Sequence, residues 1–246
     1  MTMSNASPQR LYLMQLSTTT IPLTAGQGLA MSSGCYLVQT GDGKNILIDS
    51  GLPADYTPPP GTPPAENEKN VLEHLAGLGL HPDDIDLLIC THFDVDHAGY
   101  HDAFLKAELI VQRKHYELAR SGHPRFTPAR AHWDHPALRY RLIEGDTELL
   151  PGLTLLETSG HTPGHQSVLL RLLRTGPVLL AIDAVVLQRL FTPERRAWPD
   201  DDNEEQLRAS TRKLLHLVER EHVALVIFGH DGQQWQTLKK APAYYE

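Results

Sequence analysis

Thr91-His92-Phe93-Asp94-Val95-Asp96-His97-Ala98-Gly99 places four potential metal ligands, His92, Asp94, Asp96 and His97, within six residues. Upstream, Ile85-Asp86-Leu87-Leu88-Ile89-Cys90 is an apolar run of strand length, and residues 98–105 read as the start of a helix. The potential ligands therefore fall on a strand-to-helix loop. His92 and Asp94 share the parity of an extended segment and point the same way, whereas Asp96 and His97 lie on the turn and can face a second ion. Imidazole nitrogen with carboxylate oxygen suits zinc, iron, manganese or cobalt, and a catalytic site keeps a position open for water. The plain alternative is a polar loop whose carboxylates accept hydrogen bonds from a helix N-terminus. The strand-loop-helix context favours the metal loop.

The same layout recurs along the chain. Leu153-Thr154-Leu155-Leu156-Glu157-Thr158 runs into Ser159-Gly160-His161-Thr162-Pro163-Gly164-His165, Pro177-Val178-Leu179-Leu180-Ala181-Ile182 ends in Asp183, and His222-Val223-Ala224-Leu225-Val226-Ile227-Phe228-Gly229 ends in His230. Apolar strands thus deliver the 92–97 loop, His161, Asp183 and His230 at their ends, where an α/β sheet presents its chemistry. Residues 10–16, 35–40, 45–49 and 108–112 read as further strands, with a hairpin turn at Gly41-Asp42-Gly43-Lys44. Asp49 closes one of them, as a turn residue or as part of a site.

Helical spacing appears at Val71, Leu72, Leu75 and Leu78, predicting a helix over 66–80, in residues 114–119, and again over 203–220. His74 reads as a surface residue. The Pro-rich stretch 56–64 is a stiff loop and not a domain linker, because the strands on either side are too few to close a core alone. Residues 122–141, with His123, Phe126, His132, Trp133, His135 and Tyr140, are too irregular for core and read as a roof over a site. The His132/His135 pair there reads as a packed loop, with no glutamate base between the histidines. Residues 233–246 are polar and carry no pattern. The expectation is one α/β domain over 1–246.

Composition narrows the function. A hydrophobic fraction of 41% and a charged fraction of 21% are those of a soluble globular protein. No apolar run reaches the roughly 18 residues of a membrane span. Residues 1–23 lack a basic region followed by an apolar block, so a signal peptide is not expected and the cytoplasm is. Cys35 and Cys90 lie in apolar surroundings and read as buried thiols. The 22 basic and 30 acidic side chains leave a net charge of −8 with no basic cluster, which argues against nucleic acid as a partner.

In order and spacing these motifs resemble the metallo-β-lactamase superfamily, and most of all its N-acyl homoserine lactone lactonases. The resemblance implies an αββα sandwich, two mixed sheets flanked by helices, with two divalent metal ions at one edge. His92, Asp94 and His161 would hold one ion, Asp96, His97 and His230 the other, and Asp183 would bridge them; His165 would support the ligands from behind or serve packing. It further implies a hydrolase in which a metal-bridging hydroxide opens a small lactone, with Asp96 taking the proton and returning it to the leaving alkoxide. Another ester, thioester or phosphoester on the same centre, a non-heme diiron redox protein and a purely structural metal site are the other readings. The chain departs from the usual HxHxDH pattern at Asp94, so iron or manganese join zinc as expected metals. It has Val186 where the lactonases carry a tyrosine, leaving Tyr36, Tyr100, Tyr116 or Tyr140 to replace it. Loop 56–64 and segment 122–141 form the acyl-chain or leaving-group pocket or else cover hydrophobic edge surface, in a monomer or homodimer.

Overall fold

Burial alternates along the strands and sorts the core into layers. The computed structural model describes residues 6–23, 27–67 and 69–246. Strands β1 (Pro8–Pro22), β2 (Gly28–Thr40), β3 (Asn45–Ile48), β4 (Ala65–Asn67), β5 (Leu87–Ile89), β6 (Glu108–Gln112) and β7 (Arg139–Ile143) form one sheet in the order β4-β1-β2-β3-β5-β6-β7. Strands β8 (Thr147–Leu150), β9 (Leu153–Glu157), β10 (Gln166–Leu172), β11 (Gly176–Ile182) and β12 (Leu225–Phe228) form the other, in the order β12-β11-β10-β9-β8. Both are mixed. Pairing is parallel from β3 through β7 and between β11 and β12, and antiparallel elsewhere.

Leu11, Leu13, Tyr36, Val38, Ile46, Ile48 and Ile110 face Leu153, Leu155, Val168, Leu170, Val178 and Leu180 in a core between the sheets. The alternate residues Tyr12, Met14, Cys35, Leu37, Leu47, Leu88 and Leu109 point the other way, toward helix α1 (Val71–Gly77), helix α2 (Arg113–Arg120) and the segment around helix α3 (Arg130–Trp133). Leu169, Leu179 and Ala181 on the far side of the second sheet meet Leu214 and Leu217 of helix α4 (Glu204–Arg220). Period-two burial with both faces covered produces the expected αββα sandwich. Among the described residues no helix is long and apolar enough to cross a membrane, and Cys35 and Cys90 are free buried thiols.

Direction brings the ligand-bearing ends together. β3 and β5 run parallel, and β9, β11 and β12 share one direction because β9 and β11 are each antiparallel to β10. Asp49, the 92–97 loop, His161, Asp183 and His230 therefore leave the two sheets at a common edge.

Four local expectations need correction. Residues 98–105 make turns and a 3-10 turn at His101–Ala103 in place of a helix. The chain folds back there, with Gly99 N–H donating to Gly51 O at 2.7 Å; a Cβ at Gly99 would lie 2.2 Å from the Pro53 nitrogen. The helix expected over 66–80 spans Val71–Gly77. Asn70 caps it, accepting from Glu73 N–H at 3.0 Å while the Glu73 carboxylate accepts from Asn70 N–H at 2.8 Å. Ala65 to Asn67 pair with β1 instead, and residue 68 lies outside the described residues. Segment 122–141 is not only a roof. Phe126 and Trp133 are fully buried, Trp133 Nε1–H donates to Phe126 O at 2.9 Å, and the segment leads into edge strand β7. The C-terminal stretch carries helix α5 (Gly232–Thr237), whose buried Trp235 donates from Nε1–H to Phe228 O at 3.1 Å.

Candidate metal centre

Two sets of side-chain atoms converge at that edge. In the first, Asp94 Oδ2 lies 3.4 Å from His92 Nε2 and 3.1 Å from His161 Nε2, while Asp183 Oδ2 lies 3.8 and 3.4 Å from the same two nitrogens. In the second, Asp96 Oδ2 lies 3.7 Å from His97 Nε2 and 3.6 Å from His230 Nε2, and Asp183 Oδ2 lies 3.7 and 3.1 Å from them. A tetrahedron of ligands about 2.1 Å from a central ion has edges of about 3.4 Å. The four histidine-to-aspartate separations in each set, 3.1–3.8 Å, lie near that edge length, and Asp183 Oδ2 takes part in both.

The residues fit metal ions on a second count. His92 Nε2 and His97 Nε2 are buried without a hydrogen-bond partner, as is Asp183 Oδ1. A buried polar atom left unpaired costs free energy that a coordinated cation would remove. Each imidazole is also oriented from behind. Nδ1 of His92 meets Thr91 Oγ1 at 3.0 Å, that of His97 meets Asp49 Oδ2 at 2.8 Å, that of His161 meets Asp201 Oδ1 at 2.8 Å, and that of His230 meets Ser32 O at 3.1 Å. With Nδ1–H donating outward, the Nε2 atoms of His92, His97 and His230 face the centre, and that of His161 lies there within 2.9 Å of Arg125 Nη2 as well.

The charge distribution suits a cation. Burial alone would push the His161 imidazole down, but the hydrogen bonds to Asp201 and Asp94 and the Asp183 charge carry it up to about 9. Burial likewise opposes ionisation of Asp183, yet His230 and His97 outweigh it and hold that carboxyl well below the usual range. Local backbone geometry is specialised to match. Ile182, just before Asp183, has φ 51°, a strained value for a β-branched residue. A Cβ on Gly229 would lie 2.6 Å from Asp183 Oδ1 and 2.7 Å from Ile182 O, so only glycine lets β12 approach this closely.

All seven residues singled out by sequence meet here, whereas the other histidines do not. His74 bonds Gln15 O at 2.8 Å, His132 bonds Asp102 at 2.9 Å, and His135 caps the Ala137 N–H at 3.3 Å. His165 holds the backbone, its Nε2 accepting from Asp183 N–H at 3.2 Å. Asp49 is buried and serves the loop by accepting from Thr91 N–H and Oγ1–H at 2.8 and 2.7 Å besides His97.

Three supporting residues escape the sequence motifs. Asp201 lies in the acidic run Asp200-Asp201-Asp202 before α4. His115 on α2 links the two metal loops, accepting from Phe93 N–H at 2.8 Å and donating to Pro163 O at 2.9 Å; burial pushes it down to about 4, so it is neutral. Arg125 grips Asp94 through two hydrogen bonds of 2.6 Å each.

A cavity of about 520 Å³ is lined by Leu16, Leu52, Tyr56, Pro58, Pro63 and Tyr100 among others and by none of the seven residues above. Its wall residue Ser50 donates its N–H to His97 O at 2.8 Å. Loop 56–64 lines this space as expected, whereas segment 122–141 contributes nothing to it. Of the four tyrosines, Tyr100 alone reaches the cavity. Tyr36 packs on Trp235 in the core, and Tyr116 packs on Tyr140, whose hydroxyl donates to Trp133 O.

Residues 30–230 match the pattern of the metallo-beta-lactamase superfamily. An N-acyl homoserine lactonase from Bacillus sp is 35% identical over 96% of both chains. A crystal structure of a quorum-quenching N-acyl homoserine lactone lactonase superposes with a TM-score of 0.85 at 32% identity, covering 98% of this chain and 100% of that one. An N-acyl homoserine lactone hydrolase with the product N-hexanoyl-L-homoserine at its catalytic metal centre gives 0.84 at 31% identity, covering 97% and 100%. The chain belongs to the metallo-beta-lactamase superfamily, and over nearly all its length it is similar to the N-acyl homoserine lactonases.

Proposed function

We propose that this protein is a metal-dependent hydrolase that opens the lactone ring of N-acyl homoserine lactones. The observation that carries the reading is the convergence of His92, His161 and Asp183, and of Asp96, His97 and His230, each group offering ligand atoms within 4.8 Å of one another, with Asp183 Oδ2 also 3.7 and 3.1 Å from the second group's His97 and His230. His92, Asp94 and His161 would hold one divalent ion and Asp96, His97 and His230 the other, with Asp183 common to both. Zinc suits the imidazoles, and the three carboxylates also suit iron or manganese. Two such ions, when bound, supply a hydroxide nucleophile at neutral pH and polarise the carbonyl it attacks.

The chain's own residues do the rest. Asp96 is the most exposed of the three carboxylates facing the centre, its side chain 27% accessible, and is placed to hold the proton lost on attack and return it to the leaving alkoxide. Leu16, Leu52 and the Pro-rich loop offer an apolar wall for the acyl chain, and Tyr100 sits at the cavity as the candidate donor to the substrate. The similar lactonases named above support lactones over other esters.

The test is Asp183→Asn. It keeps the size of the side chain but removes the shared anionic corner, so lactone turnover should fall at least 100-fold while circular dichroism stays native. Turnover within threefold of wild type would reject the centre as drawn.

A further inference from the structure

One pair in the centre has a geometry the metal motif alone does not require. Arg125 Nε–H donates to Asp94 Oδ1 and Nη2–H to Asp94 Oδ2, each at 2.6 Å, a parallel bidentate pair between side chains only 18% and 15% exposed. The same Oδ2 is the oxygen that lies 3.4 and 3.1 Å from the inward nitrogens of His92 and His161. Arg125 is itself fixed from behind. Its Nη1 donates to Asp200 O at 2.6 Å and to Asp202 Oδ1 at 2.9 Å, on the loop that leads into α4. The backbone beneath Asp94 is equally fixed, because the Phe93 ring stacks on Trp133 at 4.7 Å and on His115 at 5.0 Å. What remains free in Asp94 is the rotation of its carboxylate, and the guanidinium fork determines it.

We propose that Arg125 is a positioning residue for Asp94, turning one carboxylate oxygen into the first metal position while holding the other away from it. The proposal rests on the two-metal reading above. Four of the five guanidinium N–H groups are engaged by Asp94, Asp200 and Asp202, and Nη2 also lies 2.9 Å from His161 Nε2, so the group is held on the protein side of the site. A guanidinium so close also repels a cation, so its removal would tighten metal binding if charge were all that mattered. Weakened binding on removal therefore reports orientation.

The competing explanation is that Arg125 only clamps segment 124–129 to the loop before α4. A double-mutant cycle separates the two. Zinc and manganese binding to the full chain would be measured by competition with a chromophoric chelator, with content by mass spectrometry, in wild type, Arg125→Met, Arg125→Lys, Asp94→His and Asp94→His/Arg125→Met. Thermal melts of the metal-free proteins control for folding. Arg125→Met should weaken the weaker of the two ions about 10- to 100-fold, the range for losing a group that orients a ligand. Arg125→Lys, a single point charge without the fork, should recover only part of this. In the Asp94→His background the methionine should change affinity less than about threefold or improve it, since an imidazole gains nothing from a guanidinium. Equal losses in both backgrounds, full rescue by lysine, or unchanged affinity in Arg125→Met would overturn the proposal. Wild-type protein that binds no metal would instead overturn the two-metal reading beneath it.

Discussion

Asp201 offers a perturbation whose consequences for stability and for the site can be separated. Its side chain is 1% exposed and holds three groups: Oδ1 accepts from His161 Nδ1–H at 2.8 Å, and Oδ2 accepts from Trp198 N–H at 2.6 Å and from Arg195 Nη2–H at 3.1 Å. The Arg195 side chain is fully buried, its Nε has no partner, and burial lowers its pKa, with Asp201 the leading opposing influence. Asp201→Ala would leave that cation uncompensated, a loss of about 3–5 kcal/mol. It would also free the His161 ring, which should weaken metal binding about 10- to 100-fold. Stability would be read from urea midpoints of metal-free protein, so that metal affinity does not enter the comparison. Asp201→Ala/Arg195→Met removes the buried charge and should regain at least about 2 kcal/mol of the loss, because the cost comes mainly from the unpaired ion. Metal affinity should not recover. A double variant as unstable as the single one, or Asp201→Ala with wild-type metal affinity, would refute this reasoning.

Two further outcomes follow from the geometry. Gly229→Ala would put a methyl 2.6 Å from Asp183 Oδ1 and should displace the shared carboxylate, cutting turnover more than tenfold; wild-type kinetics would show that β12 can yield there. Burial lowers the His101 imidazole to about 3 in the folded protein, with its Nδ1 2.8 Å from Ser50 Oγ. Its unfolded value is about 6.5, so the unfolded chain binds the extra proton first and stability falls as pH drops from about 6.5 toward 3, at up to about 1.4 kcal/mol per unit. Urea midpoints at pH 7 and pH 5 should therefore converge in His101→Gln, and an unchanged pH dependence would contradict the buried neutral assignment.

The candidate ligand set is legible in sequence because it uses local rules: an apolar run of strand length with histidine or aspartate within four residues of its end. His92, His161, Asp183 and His230 each obey that rule, and parallel directions then force the ends to one edge. The sandwich follows from the period-two strands and the α4 pattern in the same way. What supports the ligands is not legible, because it is contributed across the fold. Arg125 reaches Asp94 from 31 residues away and Asp201 reaches His161 from 40, with no periodicity to announce either. Phe126 and Trp133 were obscured by the prolines and histidines around them, which break helical spacing although short 3-10 and α turns still deliver both rings to the core. Residues 98–105 mislead in the opposite sense. Their composition suits a helix, but the contact of Gly99 with Gly51 bends the chain into turns.

The most direct test of the account is acid release from a panel of N-acyl homoserine lactones by purified protein of known metal content, beside a sample stripped by chelator and a stripped sample given metal back. Turnover should vanish on stripping, return with two ions per chain and vary with acyl length. Undiminished hydrolysis by the stripped protein, or no hydrolysis of any lactone with two ions bound, would contradict it.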